Sequence, residues 1–323
     1  MVEKNERFLV VGAGVNGSVC AASLQKAGIN VTVLARGQRY EELRDDGIIM
    51  ENSLTHERSI TKVPVISVLE ADDIYDYILV IIRQDQMAGL LPILDRNLSS
   101  NIVFMANNLT GYEAYAAIAR ERIMLGFVFG GGKREGAVVY AISGVGGVLG
   151  VLFGGIPFGE IDGTRTERLN RLVAIFRQAG LDAQVSTRTA DYLATHIGMV
   201  TLMVGLGIKY DMDLQALARD KAGLGLLVDA LREMFKVLQA FGYQVTPPKF
   251  QSMQWVPRSL MIAGLGIFIG SDMIKLGMAD WSMSQARDEW FYFGKELERL
   301  VDKAGLAVPA IRKLLAYYQR RPR

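Results

Sequence analysis

The chain contains 323 residues, half of them hydrophobic, and carries a formal net charge of +2. This length and composition are sufficient for two domains with sizeable cores. Lysines and arginines are scattered rather than grouped, and no zinc-binding, homeodomain or single-strand-binding pattern occurs, so we expect neither a nucleic-acid partner nor a bound metal.

The cysteine content and the apolar segments bear on the location of the protein. The single cysteine, Cys20, excludes a disulfide within the chain and favours a reducing compartment. Residues 1–7 are rich in charge, unlike a signal peptide. The uncharged residues 136–159 are numerous enough to cross a bilayer, but they are rich in glycine and include Pro157, which indicates strands and turns. We therefore expect a cytoplasmic protein without a membrane span.

A glycine motif near the start of the chain predicts a dinucleotide site. Residues 8–11 form an uninterrupted apolar run, typical of a strand buried on both faces of a parallel sheet. Gly12 permits the tight turn after this strand, Gly14 lets a pyrophosphate approach the backbone, and Gly17 lets the next helix pack on the sheet. Amides in the first turn of that helix, predicted over residues 16–28, face the phosphates. The complete motif is Gly12, Ala13, Gly14, Val15, Asn16 and Gly17.

The residue after the second strand indicates which dinucleotide is bound. Residues 30–35 predict that strand, and Arg36 follows where an NAD-specific site carries Asp or Glu for the ribose 2′-hydroxyl. A guanidinium suits a 2′-phosphate, because it offers a planar, charge-assisted fork. We therefore predict NADPH as the cofactor. The alternative is that Arg36 and Arg39 are solvated loop charges.

Two further strands, over residues 77–82 and 102–106, end in polar side chains. The carboxyl edge of an open α/β sheet binds ligands, so Arg83, Gln86 and Asn107 are predicted to meet the cofactor. Residues 127–163 indicate irregular strands that extend the same sheet in an antiparallel sense.

The character of the sequence changes after residue 164. An amphipathic helix is predicted over 164–179, a short strand over 183–185, and helices over most of 189–318, with breaks at Pro247-Pro248 and around residues 264–270. Residues 189–208 are apolar nearly all round, which predicts a buried helix. The sequence thus predicts an α/β fold with a Rossmann-type domain over residues 1–185 and an all-helical domain over 186–323. The amphipathic residues 289–303 offer a seam for the homodimer that we expect.

These features resemble the ketopantoate reductase (2-dehydropantoate 2-reductase) family over nearly the whole chain. The resemblance implies a Rossmann domain joined to a helical domain, the use of NADPH, and reduction of a 2-oxo acid between the two. The residues that carry it are Gly12, Gly14, Gly17 and Arg36, Arg83-Gln84-Asp85-Gln86, Ala106-Asn107-Asn108-Leu109, Glu289, and Gly305-Leu306-Ala307-Val308-Pro309.

The resemblance assigns roles to four positions. The strand-end lysine of the family, which contacts the cofactor, falls on Arg83, and its companion glutamine on Gln86. The asparagine beside the nicotinamide and the substrate falls on Asn107, although the usual glycine after it is Asn108 here. The late glutamate that helps to anchor the cofactor or the reacting end falls on Glu289.

The chain departs from the family at the expected proton donor. Where the family has a lysine and, one turn later, a substrate-binding asparagine, this chain has His196 and Val200. A histidine of ordinary pKa is able to protonate the developing alkoxide, and the alternative is an imidazole satisfied within the core or the cleft wall. Lys209 and Lys275 are fallback donors, each more typical of a solvated lysine.

Two functions are consistent with these residues. The first is an NADPH-dependent reductase of a 2-oxo acid or related carbonyl compound, with His196, Asn107 and Glu289 shaping the reaction site. Val200 then predicts a substrate bulkier or less hydroxylated than ketopantoate. The second is an NADP-binding sensor or interaction protein that has lost the reaction, which the missing lysine and asparagine suggest. Flavin or S-adenosylmethionine is disfavoured, because Arg36 replaces the acid that such sites use.

Overall fold

The chain folds into two compact units. The computed structural model describes residues 6–127, 132–141, 155–271, 274 and 283–319. The first unit consists of Met1–Asn107 and Tyr112–Thr189, and the second of Asn108–Gly111 and Ala190–Arg323. The first is a Rossmann-type α/β unit and the second is helical, which confirms the predicted fold class. The sequence predicts a boundary near residue 185, and the units divide after Thr189.

Within the described residues, the first unit contains two sheets and four α-helices. Its larger sheet comprises β1 (Arg7–Val11), β2 (Asn30–Leu34), β5 (Val65–Ile66), β6 (Tyr77–Val80), β7 (Ile102–Phe104), β8 (Ile123–Gly126), β11 (Ile156–Glu160) and β12 (Ala183–Val185). Its smaller sheet comprises β3 (Ile48–Asn52), β4 (Arg58–Thr61), β9 (Gly132–Glu135) and β10 (Val138–Ala141). The helices are α1 (Val15–Lys26), α2 (Gln38–Asp45), α3 (Leu91–Arg96) and α4 (Glu167–Gln178), with 3-10 turns at Gln84–Gly89, Gly111–Tyr115 and Arg120–Arg122.

The larger sheet is doubly wound. Its strand order is β12-β11-β8-β7-β6-β1-β2-β5, and all neighbours are parallel except β8 and β11. Strands β6, β7 and β8 are buried throughout, as apolar central strands are when both faces of the sheet are covered. The chain order reverses between β1 and β6, so the carboxyl ends of these two strands border the crevice where such sheets bind ligands.

The prediction that residues 127–163 extend the larger sheet is right for β11 and wrong for β9 and β10. Strand β11 pairs antiparallel with β8. In contrast, β9 and β10 form an antiparallel hairpin, and β10 runs parallel to β3 with Val138 opposite Ile49. This pairing joins segments far apart in the chain, so no local pattern predicts it. Residues 142–154 lie outside the described residues.

The second unit packs its helices around one apolar core. These helices are α5 (Thr189–Ile208), α6 (Leu214–Arg219), α7 (Lys221–Ala240), α8 (Pro248–Gln251), α9 (Arg258–Gly270), α10 (Met283–Ala304) and α11 (Pro309–Tyr318), with a 3-10 turn at Ser252–Gln254. The break predicted around residues 264–270 is wrong, since α9 continues through these glycines. A Cβ at Gly266 would lie 3.0 Å from the carbonyl oxygen of Ala218, so the absent side chain permits a close helix contact that offsets the low helix propensity of glycine.

Helix α5 has the bounds predicted from its apolar sequence. Among the described helices it alone is long and apolar enough to cross a bilayer, yet two-thirds (67%) of its most apolar window is buried inside the protein. The core helix of a globular unit meets the same criterion.

A four-residue segment, Asn108–Gly111, leaves the first unit and joins the second. Leu109 is buried in the apolar core of the helical unit. Asn108, also buried, donates a hydrogen bond from Nδ2 to the carbonyl oxygen of Gly111 at 2.7 Å and accepts one at Oδ1 from the Thr110 amide at 2.9 Å. The side chain that replaces the usual glycine of the family therefore holds this segment in a compact turn.

Candidate functional site

A cavity of about 570 Å³ opens at the carboxyl ends of β1 and β2. It is lined by the glycine loop, by the residues that follow β2, and by Gln86 and Leu90 from beyond β6. Five of the predicted cofactor residues lie together here, namely Gly12, Ala13, Gly14, Arg36 and Gln86. Val15, Asn16 and Gly17 form the first turn of α1 immediately after them.

The three glycines of the loop stand in different surroundings. Gly12 has φ +109°, and a Cβ there would overlap the carbonyl oxygen of Ile81. A Cβ at Gly17 would overlap the carbonyl oxygen of Gly12, so α1 packs on the end of β1 at a distance that only glycine allows. A Cβ at Gly14 would meet no described atom within 4 Å. Gly14 thus faces open space at the cavity, where the absence of a side chain lets a pyrophosphate approach the backbone closely.

The start of α1 offers backbone amides to this space. Gly14 is its N-cap, no side chain caps the first turn, and that turn contains no acidic residue. By comparison, the side chain of Thr166 caps α4 and that of Asp220 caps α7. Uncapped amides at the positive end of a helix dipole suit a bound phosphate.

Three arginines line the cavity, and they differ in how they are held. Arg36 is exposed and has no hydrogen-bond or ion-pair partner in the part of the chain that the structure describes. Arg39 is largely buried and bonds to the Ala13 carbonyl oxygen at 3.1 Å, to the Ser18 hydroxyl at 3.2 Å and to Glu42 at 3.0 Å. Arg39 therefore braces the glycine loop, and it is not the solvated loop charge that the sequence left open.

Arg134 of β9 is a cavity residue that sequence reasoning missed. It reaches the site because the hairpin of β9 and β10 belongs to the smaller sheet, whose pairing is not visible in the sequence. Its neighbours Lys133 and Glu135 make the segment look like an ordinary charged turn.

The other strand-end candidates of the first unit, Arg83 and Asn107, are not among the residues that line this cavity. Arg83 makes a two-pronged ion pair with Asp85, from Nε at 3.0 Å and from Nη2 at 2.9 Å. The Asp85 carboxylate thus already pairs with the guanidinium that the resemblance predicts to contact the cofactor. Asn107 is half-buried after β7, at the end of the first unit's opening segment.

In the second unit, the two positions at which the sequence predicts a departure from the family, His196 and Val200, share one face of α5. His196, Met199, Val200 and Met203 have helical spacing and are all half-buried. The opposite side of the helix is packed tightly, since a Cβ at Gly198 would lie 2.6 Å from the Cε of Met234. Apart from the imidazole, this partly exposed face is apolar.

The environment of His196 favours the neutral imidazole. Its ring stacks on that of Tyr192, with the centroids 6.1 Å apart and the planes 6° from parallel. Desolvation lowers the pKa of His196 to about 4. At pH 7 only about one molecule in a thousand then carries the imidazolium. The ordinary histidine pKa assumed from the sequence does not apply here.

The remaining candidates of the second unit lie elsewhere. The Nζ of Lys209 bonds to the Tyr210 hydroxyl at 2.8 Å and to Asp220 at 2.9 Å, and these bonds raise the pKa of Lys209. Its ammonium is therefore held at the end of α5. Glu289 is buried on α10, and Lys275 lies outside the described residues.

Substituting the two glycines should separate binding from folding. Gly14→Ala places a methyl group in open cavity space, so we expect an unchanged melting temperature and binding of the predicted dinucleotide weaker by about 10-fold or more. Gly17→Ala forces α1 off the sheet and should cost roughly 1–3 kcal/mol of stability. Thermal unfolding and calorimetric titration measure the two effects. Equal loss of stability in both variants would contradict the assigned roles.

The titration of His196 should make folding stability depend on pH. Because its folded pKa of about 4 lies below the 6.5 of an ordinary histidine, the unfolded chain takes up a proton first as the pH falls. Stability should therefore be lost between pH 6.5 and 4, by about 2 kcal/mol from pH 7 to pH 5. Chemical unfolding at both pH values measures this loss, which His196→Gln should abolish.

The exposed His56 provides the matched control for that measurement. His56→Gln should keep the pH dependence of the wild type. If His196→Gln and the wild type lose the same stability between pH 7 and pH 5, His196 is not desolvated in the folded protein.

The N-terminal half matches a family by sequence. Residues 8–150 match the family model described as Ketopantoate reductase PanE/ApbA. A curated relative, the 2-dehydropantoate 2-reductase of Aquifex aeolicus (strain VF5), is 24% identical over 240 residues, which cover 72% of each chain.

Solved structures share the fold over almost the entire chain. A 2-dehydropantoate 2-reductase from Geobacter metallireducens GS-15 has a TM-score of 0.74 at 20% identity and covers 97% of this chain and 99% of that one. A D-mandelate dehydrogenase, solved with NADH and anilino(oxo)acetate, has a TM-score of 0.77 at 15% identity and covers 97% of both chains. By name these relatives are oxidoreductases. The resemblance predicted from the sequence is confirmed: residues 8–150 match the model of the ketopantoate reductase PanE/ApbA family, and the chain has the fold of solved ketopantoate reductases.

Proposed function

We propose that this protein is an NADPH-dependent reductase of 2-oxo acids that carry a bulky apolar side chain. The observation that carries the proposal is the position of Arg36, which lines the cavity beside the glycine loop and has no ion-pair partner among the described residues. The family match supports the reaction class. The bound coenzyme supplies the hydride, and the protein positions it and binds the 2-oxo acid.

The choice of NADPH over NADH follows from the charge of the cavity lining. In the described part of the chain this lining contains three arginines and no carboxylate. A site for NADH places an acid against the ribose 2′-hydroxyl, whereas a 2′-phosphate needs cationic donors. The D-mandelate dehydrogenase with the same fold is named as an NADH complex, so the fold by itself does not decide between the two coenzymes.

The proposed substrate class follows from the partly exposed face of α5. Met199, Val200 and Met203 offer thioethers and a branched alkyl group where the family has a substrate-binding asparagine. An apolar lining favours a substrate with few hydroxyl groups, because an unmatched hydroxyl loses its hydrogen bonds to water. The related fold that holds anilino(oxo)acetate, an oxo acid with an aromatic group, supports this direction.

His196 is proposed to act as a neutral hydrogen-bond donor to the keto oxygen of the substrate. An imidazole with a pKa of about 4 is a weak source of protons at pH 7, but its N–H can still stabilise negative charge that develops on oxygen. Asn107 and Glu289 are proposed to position the nicotinamide and the reacting end, as the family resemblance implies.

The coenzyme assignment is tested by titrating the purified protein with NADPH and NADH. We expect NADPH to bind more tightly, and Arg36→Ala to weaken NADPH binding by about 10- to 100-fold without changing NADH binding, because a charge-assisted pair with the phosphate is lost. Arg165→Ala is the control, since Arg165 is an exposed arginine outside the cavity lining. Preference of the wild type for NADH would refute the assignment.

The substrate class is tested by following NADPH oxidation with a panel of 2-oxo acids. We expect higher kcat/KM for branched or aromatic side chains than for ketopantoate. Val200→Asn restores the amide of the family and should shift the preference toward ketopantoate by about 10-fold, the value of one buried hydrogen bond. Met203→Gln is the control, because it adds an amide one turn away on the same face of α5. Val204→Asn is unsuitable, because Val204 is buried in the core. Turnover of ketopantoate as fast as that of the apolar acids would contradict the proposal.

A further inference from the structure

We propose that Arg134 of β9 is a second specificity-determining residue for the 2′-phosphate, contributed by the smaller sheet rather than by the Rossmann sheet. This inference rests on the proposed function, because it concerns the same coenzyme. It assigns a binding role to a strand that lies about 120 residues after the glycine loop in the sequence.

The alternation of β9 directs Arg134 toward the site. Gly132 and Arg134 are the half-buried positions of this strand, and Lys133 and Glu135 are exposed. Lys133 pairs with Glu135 at 2.6 Å, and neither lines the cavity. The strand therefore presents one basic residue to the cavity and one away from it.

The hairpin that carries Arg134 is fastened to the glycine loop. The guanidinium of Arg39 donates to the Ala13 carbonyl oxygen in the loop at 3.1 Å and to the Ala137 carbonyl oxygen in the hairpin turn at 3.1 Å. A Cβ at Gly132 would lie 3.0 Å from the Cγ1 of Val15, so β9 also approaches the start of α1 closely. Arg134 thus has a defined position relative to the loop that is proposed to hold the phosphates.

The charges around Arg134 leave an excess of positive charge. Glu42 accepts from Arg39 at 3.0 Å and from Arg134 at 3.3 Å, so one carboxylate serves two guanidiniums. Arg36 has no ion-pair partner among the described residues. Three guanidiniums against one carboxylate leave two net positive charges, which matches the charge of nearly −2 on a phosphate monoester at pH 7.

Arg134 is better suited to the ligand than Arg39. Only 10% of the Arg39 side chain is exposed, and its Nε and both terminal nitrogens are engaged by the protein. Arg134 is 37% exposed, and within the described part of the chain only its Nη1 is bonded, to Glu42 and to the Gly136 carbonyl oxygen at 2.7 Å. Its side chain can therefore donate to a phosphate while Arg39 keeps Glu42 paired.

The test titrates the full-length protein with 2′,5′-ADP and with 5′-AMP, which differ in the 2′-phosphate and report binding without turnover. We expect Arg134→Ala to raise the Kd for 2′,5′-ADP by about 10-fold and to leave that for 5′-AMP unchanged. Lys133→Ala, which removes the same charge from the adjacent exposed position, should change neither Kd by more than about 2-fold. Arg134→Lys should lie between Arg134→Ala and the wild type, because it keeps the charge without the planar fork.

The outcomes separate this inference from the proposed function. If Arg36→Ala weakens 2′,5′-ADP binding and Arg134→Ala does not, Arg134 serves only as a partner of Glu42 and the coenzyme assignment stands. Equal weakening of both ligands in Arg134→Ala would indicate a displaced glycine loop and would also overturn the inference. If the wild type binds the two ligands equally, the assignment of NADPH fails and the role of Arg134 fails with it.

Discussion

The contact between α1 and the end of β1 is the constraint on which the candidate site depends. Gly17 packs against the carbonyl oxygen of Gly12, so the helix begins immediately at the edge of the sheet. The uncapped amides at the start of α1 then face the cavity. Arg39 fixes the glycine loop to this helix, because it bonds to Ala13 in the loop and to Ser18 in α1. The same guanidinium donates to the hairpin of the smaller sheet, so a single side chain connects the glycine loop, α1 and this hairpin. A binding site assembled in this way needs little reorganisation when a ligand arrives.

The cavity at the glycine loop is lined by three arginines. A dehydrogenase with a TM-score of 0.77 to this chain is named with NADH. The backbone arrangement of a doubly wound sheet accepts either coenzyme, and the side chains after the second strand decide between them. We propose a comparable change in the helical unit, because α5 carries an apolar face where the resemblance predicts a polar pair. We therefore propose that a few side chains on a shared backbone fold determine the specificity of this protein for its coenzyme and its substrate.

Many of the helices and strands were predictable from the sequence, because short-range patterns determine them. The apolar run before Gly12, the spacing of the three glycines and the apolar α5 each predict an element that the structure contains. The smaller sheet was not predictable, since β10 pairs with β3 across a long stretch of chain and their side chains show no local signature. Arg134 was missed for that reason. The glycines of α9 suggested a break, but close contact with Ala218 compensates for them. The burial of His196, which sets its pKa, likewise depends on tertiary surroundings rather than on the residue type.

The passage of residues 108–111 into the helical unit makes both units discontinuous in sequence. The polypeptide crosses from one to the other three times, after Asn107, after Gly111 and after Thr189. A fragment cut at residue 189 would keep Leu109 but lose the helices that cover it, and would leave an apolar side chain in water. The helical part, expressed alone, would lack a piece of its own interior. Gene fusion or domain exchange at the boundary after Thr189 would therefore yield two incomplete units. We expect the two units to be inherited together.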